Sequence, residues 1–271
     1  MSLVETDWLN NNLNNVKIID CSWHMPQTNR IGFEEYKKQH IPNAIFFNLD
    51  ENSKKKTKLP HMLVDTNDWE KIVSKMGIDE ADKIIIYDNS DVISSCRCWF
   101  NFIYFGHNPK LVSVLNGGFE KWLMENRKIT NDLTDIKISN YKASEKKELV
   151  KDKKMIDQNI KTQKFKVVDA RSKERFEGKV TEPRKGLRSG SIVNSFCIPF
   201  QKCLNNDKTF KNKNDLKIVF ETCLKNANEK EIVFSCGSGV TACVLALAYS
   251  LINDRYVPCI YDGSWAEYGM I

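Results

Sequence analysis

The sequence has few histidines, the side chains that most often bind metal ions in proteins. Its four histidines stand at positions 24, 40, 61 and 107, and no two of them have the spacing of a metal-ligand pair. Cys96 and Cys98 form a C-x-C pair, but no second such pair lies near it. We therefore expect neither a metal site nor any other cofactor.

No apolar stretch of the sequence is long enough to cross a membrane. The first eight residues include Glu5 and Asp7 but no basic cluster, so they resemble neither a secretory signal nor a transit peptide. The nine cysteines are an odd number in a long chain, which argues against a disulfide framework. These absences predict a cytoplasmic protein that does not bind membranes.

Charge is abundant but is not arranged as in a nucleic-acid-binding protein. The net charge of +6 comes from 41 basic and 35 acidic residues, and the basic runs at 54–56 and 151–154 carry no interleaved aromatic residues. We interpret these runs as solvated loops and expect no nucleic-acid partner. An overall attraction for small anions is the alternative use of the positive charge.

The second half of the chain repeats the first. The matching pairs are 16–22 with 166–172, 40–47 with 191–198, 83–88 with 231–236, and 114–119 with 260–265. The order of the four pairs is kept and their spacing is nearly constant, which is the signature of an internal duplication. The repeat predicts two similar domains.

Helical patterns lie between the repeated β-type runs. One apolar face is formed by Trp69, Ile72, Val73 and Met76 after a cap at Thr66 or Asn67, and another by Leu216, Ile218, Val219 and Cys223. Strands that alternate with helices indicate a mostly parallel sheet flanked by helices. We predict an α/β protein with domains at 1–127 and 150–271, and a polar linker at 128–149 that runs over the surface.

The strongest functional signal is the segment CGSGVTAC, which spans residues 236–243. Cys236 ends an apolar run, a loop with two glycines follows, and an apolar run of helical length begins at Val240. The loop N–H groups and the helix N-terminus would favour a thiolate at this position, and a thiolate is a nucleophile. Asp88 stands at the equivalent position of the first repeat, so we expect only the second domain to be catalytic.

Several motifs together resemble one family. They are 46–50 (FFNLD), 61–63 (HML), 174–178 (ERFEG), 182–184 (EPR), 236–242 (CGSGVTA) and 261–265 (YDGSW). With these motifs the chain resembles the tandem-domain rhodanese family, and most of all its 3-mercaptopyruvate sulfurtransferase branch. The resemblance extends over essentially the whole chain and implies two tandem rhodanese-like domains.

The resemblance also implies a reaction and a set of site residues. Cys236 would take sulfur from 3-mercaptopyruvate as a persulfide, release pyruvate, and pass the sulfur to cyanide or to a thiol acceptor such as thioredoxin. Arg175 and Arg184 would bind the substrate carboxylate, and Asp50, His61 and Ser238 would handle protons. The remaining loop positions, which would border the substrate, are Gly237, Gly239, Val240 and Thr241.

The chemistry of these residue types agrees with that role. The planar fork of arginine can hold a carboxylate through two parallel hydrogen bonds, which lysine cannot do. Gly237 and Ser238 leave the loop uncharged, whereas thiosulfate-preferring relatives place basic residues after the cysteine. A neutral loop suits a donor whose charge lies on a remote carboxylate.

Other functions remain open at this stage. A thiosulfate sulfurtransferase is the alternative within the same class, and a scaffold protein without turnover is the alternative from another class. A phosphatase is disfavoured because Ala242 stands where a phosphate-binding loop of the Cys-x5-Arg type would need arginine.

The single residues also have structural alternatives. Arg175 and Arg184 could be ion-pair partners of nearby glutamates, while Asp50, His61 and Ser238 could serve only their own loops. For Cys243 we expect core packing, with a redox partnership with Cys236 as the alternative.

Overall fold

The computed structural model describes residues 2–224 and 232–271, and the chain divides into two compact units. The first unit contains Met1–Lys55, Leu63–Lys146 and Asn206–Thr209, and the second contains Lys56–Met62, Lys147–Asn205 and Phe210–Ile271. Each unit therefore includes a short segment from the other half of the sequence. Glu231, with which the second member of the third repeat pair begins, lies outside the described residues.

The first unit is built on a five-stranded parallel sheet with the strand order β1-β5-β4-β2-β3. Its strands are β1 (Leu3–Val4), β2 (Lys17–Asp20), β3 (Ala44–Phe46), β4 (Ile84–Tyr87) and β5 (Val112–Leu115). Its helices are α1 (Thr6–Asn10), α2 (Gly32–Lys38), α3 (Thr66–Lys75), α4 (Ser95–Tyr104) and α5 (Gly118–Met124).

The second unit has the same arrangement, a five-stranded parallel sheet with the order β6-β10-β9-β7-β8. Its strands are β6 (Val150–Lys151), β7 (Lys166–Asp169), β8 (Phe196–Cys197), β9 (Ile232–Ser235) and β10 (Ile260–Tyr261). Its helices are α6 (Lys153–Thr162), α7 (Lys173–Phe176), α8 (Lys213–Leu224), α9 (Val240–Ser250) and α10 (Ser264–Tyr268). The predicted α/β class, with a parallel sheet and helices in each half, is confirmed.

Apolar side chains cover both faces of each sheet. In the first unit, one face carries a cluster around Ile18, Tyr87 and Trp122, while Trp69 packs against Phe102 and Phe105 in a second aromatic group. The second unit has the equivalent pair of layers, one around Val167, Val233 and Trp265 and the other around Phe220, Phe234 and Tyr249. Strands buried on both faces explain why β4 and β9 read as continuous apolar runs rather than alternating ones.

Two details of the helix predictions are wrong. The N-cap of α3 is Asp65, one residue before the expected Thr66, because Asp65 is the last residue with extended backbone angles. On α8, Ile218 was expected on the buried face but is 64% exposed, since the face that packs inward is formed by Leu216, Phe220 and Leu224.

The linker segment is held against the first unit at buried points as far as Lys146. Tyr141 is buried, and its hydroxyl lies 3.2 Å from Nδ1 of His107. His40 and Thr130 form an isolated antiparallel bridge, with N–H···O distances of 2.8 and 2.9 Å. The predicted linker is therefore polar in composition, but it is fixed to the first unit by these contacts. None of the described helices is both long and apolar enough to span a bilayer.

Candidate active site

Cys236 lies in the second unit at the carboxyl end of β9, where the chain turns into helix α9. Its residue surface is 2% exposed. Gly239 immediately precedes the helix with a φ of 76°, a left-handed conformation that glycine adopts without steric cost. Because the first N–H groups of a helix lack partners within it, the start of α9 at Val240 and Thr241 presents donors and partial positive charge beside the loop.

The loop is fixed from one side by the start of helix α10. Backbone N–H groups of Trp265 and Ala266 donate to the carbonyls of Cys236 and Gly237, at 2.9 and 2.8 Å. The N–H of Cys236 donates in turn to Oγ of Ser264 at 3.2 Å. The backbone on both sides of the sulfur-bearing residue is therefore held by a single neighbouring element.

Ser264 is a site residue that the sequence reasoning did not identify. It is fully buried, and its φ of 49° is rare for a residue with a side chain. The equivalent residue of the first repeat is Gly118, with a φ of 58°, where an added Cβ would come within 2.5 Å of the carbonyl oxygen of Asp88. A serine at a position that favours glycine is the signal that could have revealed it.

The structure brings His61, Ser238 and Arg184 together in the second unit. Nδ1 of His61 lies 2.9 Å from Oγ of Ser238, and Nη2 of Arg184 donates to the same oxygen at 3.3 Å. His61 belongs to the second unit through the segment Lys56–Met62, and its φ of 60° is again left-handed. Backbone conformations of this kind occur often at functional sites because the surrounding structure must hold them.

Both predicted arginines border the residue that follows Cys236. A Cβ built on Gly237 would lie 3.4 Å from Nη2 of Arg175 and 3.5 Å from Nη1 of Arg184. Two guanidinium groups thus meet over a backbone position that has no side chain. This arrangement can receive a carboxylate next to Cys236.

Arg175 is also one end of a buried chain of alternating charges that begins at Asp169. Arg171 pairs with Asp169 at 2.7 Å and with Glu182 at 2.8 Å, and Glu182 pairs with Arg175 at 2.5 Å. The interpretation of Arg175 as an ion-pair partner of a glutamate therefore holds for one edge of its guanidinium group.

Arg171 is buried, and the guanidinium packs against the ring of Trp265, 4.4 Å from its centroid. Burial alone would lower the pKa of Arg171. The charge and hydrogen bonds of Asp169, the charge of Glu182 and a smaller contribution from Cys236 outweigh it, so the pKa is raised above its usual value. Arg171 is a permanent buried cation in the neighbourhood of the sulfur.

The first repeat has no arginine at the position equivalent to Arg171. Ser22 takes the place of Arg171, and its N–H and hydroxyl donate to Oδ1 of Asp20 at 2.9 and 2.5 Å. Without a buried positive partner of that kind, burial raises the pKa of Asp20 to about 7, although the hydrogen bonds from Ser22 act in the opposite direction. Arg171 was missed by sequence analysis because it lies in a stretch recognised only as a repeated strand.

The loop of the first unit is occupied by its own carboxylate. Asp88, at the position equivalent to Cys236, accepts the N–H of Ser90 at 2.7 Å and the N–H of Ser95 at 2.9 Å. Burial raises the pKa of Asp88, while these hydrogen bonds act to lower it. The backbone donors that could face an anionic ligand are therefore engaged within the loop.

Asp50 belongs to the first unit, and its Oδ2 accepts a hydrogen bond from Nε1 of Trp23 at 2.9 Å. Cys243 is fully buried on α9, as expected for core packing. Burial raises the pKa of both Cys197 and Cys203 to about 12, which leaves these thiols protonated near neutral pH. No disulfide bond joins cysteines in the part of the chain that the structure describes.

Comparison with known proteins identifies the family to which the two domains belong. The family model for the rhodanese-like domain matches residues 5–125 and 152–270, which together make up most of the chain. This chain belongs to the rhodanese family. Each matched range contains four of the five strands of one sheet, so the rhodanese resemblance of the motifs and the tandem fold are both confirmed.

Individual members of the rhodanese family are similar over nearly the full length. The chain is 37% identical to thiosulfate/3-mercaptopyruvate sulfurtransferase 1, mitochondrial, of Arabidopsis thaliana, over 98% of this chain and 75% of that protein. It is 36% identical to 3-mercaptopyruvate sulfurtransferase of Mus musculus, over 94% and 85% of the two chains. The structure of SseA from Escherichia coli, a 3-mercaptopyruvate sulfotransferase, superposes with a TM-score of 0.86 at 28% identity, covering 98% of this chain and all of SseA.

Proposed function

We propose that this protein is a 3-mercaptopyruvate sulfurtransferase that works through a persulfide on Cys236. The observation that carries the proposal is the meeting of Arg175 and Arg184 over Gly237, next to the cysteine. A keto acid with a terminal thiol has a planar carboxylate for the two guanidinium groups and a sulfur for the nucleophile. The similar proteins that act on 3-mercaptopyruvate support the same donor.

The reaction consists of two displacements at sulfur. In the first, the Cys236 thiolate attacks the sulfur of 3-mercaptopyruvate, the carbon–sulfur bond breaks, and its electron pair leaves on carbon as the enolate of pyruvate. Protonation of that carbon gives pyruvate, and the enzyme keeps the sulfur as a Cys236 persulfide. In the second, the thiolate of an acceptor attacks the outer sulfur, which leaves an acceptor persulfide and restores the Cys236 thiolate.

We assign the carboxylate of the donor to Arg175 and Arg184, and the proton to the group formed by Ser238 and His61. His61 is suited to that task because a histidine changes its charge near neutral pH and can both accept and donate a proton. Its contact with Ser238 gives a path from the ring to the loop. We also assign proton handling to Asp50, as the family resemblance implies.

The helix start at Val240 supports the same chemistry. The thiolate, the persulfide and the departing enolate all carry negative charge, and the N-terminus of an eleven-residue helix favours negative charge beside it. Gly237, Gly239 and Thr241 line the approach in this proposal without adding a charge to the loop. Discrimination between donors then rests with the arginines.

Transfer from thiosulfate is the alternative, and the name of the similar Arabidopsis protein includes both donors. The absence of a basic side chain at Gly237 and Ser238 argues against thiosulfate as the preferred donor of this chain, because both charges of thiosulfate would lie at the loop. We therefore propose the mercapto keto acid as the better donor, and a small thiol or a thioredoxin-like protein as acceptor.

Two measurements test the proposal. Mass spectrometry after incubation with 3-mercaptopyruvate should show a gain of one sulfur on the peptide that contains Cys236, and Cys236→Ser should show none. Pyruvate release from 3-mercaptopyruvate should have a higher kcat/KM than thiocyanate formation from thiosulfate and cyanide. A higher kcat/KM with thiosulfate would replace the donor, and a folded protein without any added sulfur would favour the scaffold alternative.

A cytoplasmic location belongs to the same proposal. It is supported by cysteines that form no disulfide bond among the described residues, as is usual in a reducing compartment. Subcellular fractionation with matrix and cytosolic markers tests it, because the similar Arabidopsis protein is named as mitochondrial.

A further inference from the structure

The guanidinium group of Arg175 has two edges that can pair with a carboxylate, and Glu182 binds one of them. Its Nε and Nη2 donate to the two carboxylate oxygens of Glu182, at 3.2 and 2.5 Å. The edge formed by Nη1 and the second N–H of Nη2 points away from that carboxylate, and Nη2 lies beside Gly237. A planar guanidinium held along one edge presents the other in a fixed direction.

Glu182 is itself held from behind. Its side chain is 1% exposed, and Oε1 accepts a hydrogen bond from Nη1 of Arg171 at 2.8 Å. Nε and Nη2 of Arg171 donate to Asp169 and to the carbonyl of Gly190. Four of the five N–H groups of Arg171 are thereby bound within the protein, and one of them holds Glu182.

This arrangement needs an explanation because Glu182 places a negative charge next to a site for a negative donor. On charge alone, the glutamate opposes binding of a carboxylate at Arg175. Arg171 balances that charge within the buried chain, so that Arg175 retains its attraction for an anion. What Glu182 adds is direction, since the side chain of Arg175 is 20% exposed and a long arginine side chain has many rotamers unless a partner holds it.

We propose that Glu182 is a positioning residue, which, backed by Arg171, turns the Nη1–Nη2 edge of Arg175 toward the carboxylate of the sulfur donor. The inference rests on the proposed function for the role of Arg175. It adds that carboxylate recognition depends on a buried glutamate that does not touch the donor.

Alkylation of Cys236 tests this without turnover. Iodoacetate carries a carboxylate and iodoacetamide is its neutral counterpart, and in both the thiolate displaces iodide to form a carbon–sulfur bond. The ratio of the two rates at Cys236, followed by peptide mass spectrometry, reports carboxylate recognition separately from thiolate reactivity. Glu182→Gln should lower this ratio about fivefold to tenfold while the iodoacetamide rate stays within about twofold.

The sign of the change separates positioning from charge. If Glu182 were only a nearby negative charge, its removal would accelerate iodoacetate, and a ratio that rises or stays the same overturns the proposal. Glu174→Gln is the matched control, since Glu174 is an exposed glutamate on the same helix as Arg175 and its loss should leave the ratio unchanged. The KM for 3-mercaptopyruvate should rise in Glu182→Gln with kcat less affected.

Two further variants complete the design. Arg175→Ala should lower the ratio at least as far as Glu182→Gln, and the double variant should lose no more than Arg175→Ala alone. If Arg175→Ala leaves the ratio unchanged, the carboxylate role of Arg175 is wrong and the positioning role falls with it. If only Glu182→Gln leaves it unchanged, the positioning role alone is overturned. Should Glu182→Gln fail to fold, Glu182→Asp keeps the charge but shortens the reach, and it should lower the ratio as well.

Absence of pyruvate release together with a normal alkylation ratio would count against the proposed donor only. The dependence of Arg175 on Glu182 would then stand for another carboxylate-bearing ligand.

Discussion

Gly237 and Gly239 flank Ser238 in the same loop, yet a methyl group should have different effects at the two. A Cβ on Gly237 points between the guanidinium groups of Arg175 and Arg184, into the space that the donor carboxylate would use. We expect Gly237→Ala to change the free energy of unfolding by less than about 0.5 kcal/mol and to raise the KM for 3-mercaptopyruvate several-fold. Steady-state kinetics and thermal unfolding measure both effects.

Gly239→Ala is the control for that experiment. The φ of 76° at Gly239 strains any other residue, so this variant should lose about 1 kcal/mol of stability. An unchanged KM in Gly237→Ala would mean that the donor carboxylate does not lie between the two arginines.

Ser264 allows strain and hydrogen bonding to be separated. Glycine would accept the φ of 49° at no steric cost, whereas alanine would keep the strain, and both would remove the oxygen that accepts the N–H of Cys236. We expect Ser264→Gly to be more stable than Ser264→Ala by about 1 kcal/mol. Both variants should slow persulfide formation, as measured by stopped reactions and mass spectrometry. Wild-type rates in either variant would contradict a role for this hydrogen bond in holding the loop.

Single residues could be predicted when a local pattern surrounded them. Cys236 ends an apolar run and precedes two glycines, so the position of this cysteine between a strand and a helix could be predicted from the sequence. Arg171 and Glu182 were not visible as a pair, because their role comes from a contact across eleven positions that include helix α7, and no local pattern marks that contact. Ser264 could have been found by comparing it with Gly118 in the other repeat.

At the scale of elements, β2 and β7 both end in a buried aspartate, but the two aspartates have different partners. Asp169 on β7 faces Arg171, whereas Asp20 on β2 faces Ser22, and burial raises the pKa of Asp20 from 3.8 to about 7. Between these values the folded state binds a proton that the unfolded state has lost. The contribution of Asp20 to stability is therefore full below about pH 4 and is lost as the pH rises through 7.

Asp20→Asn should remove this dependence, because the amide resembles the neutral acid. We expect the variant to gain stability relative to the wild type as the pH rises from 4 to 7, by up to about 4 kcal/mol. Chemical unfolding at a series of pH values measures the difference. Asp68→Asn, on the exposed surface of α3, is the control. Parallel pH profiles for the wild type and Asp20→Asn would show that Asp20 ionises normally.

The central elements were predictable because two copies of each could be compared. β2 with β7 and β4 with β9 are short apolar runs that occupy the middle of their sheets. The edge strands β1 and β6 contain two residues each and have no pattern that a sequence could show. On α8, the sequence did not reveal which apolar stripe faces inward, since Ile218 and Phe220 are equally apolar and only packing distinguishes them.

At the scale of the whole molecule, the two units have diverged in more than one residue. Placing a cysteine in the first unit, as Asp88→Cys on a Cys236→Ser background, should not recover sulfur transfer. Ser22 stands in the first unit where the second has Arg171. Arg30 of the first unit pairs with Glu35, and its Nη2 also donates to the carbonyl of Asn89, the residue after Asp88. We expect no added sulfur on the peptide containing position 88 after incubation with 3-mercaptopyruvate. A persulfide there would show that the nucleophile alone decides which unit is active.

The segment Lys56–Met62 makes the second unit depend on the first half of the chain. It is encoded in the first half of the chain but belongs to the second unit, and it carries the histidine that contacts Ser238. The second half, copied alone into another protein, would bring the nucleophile and the arginines without His61. With the proposed role of His61, recombination at the linker would separate the parts of one site, and sulfur transfer would then depend on both repeats staying in one chain.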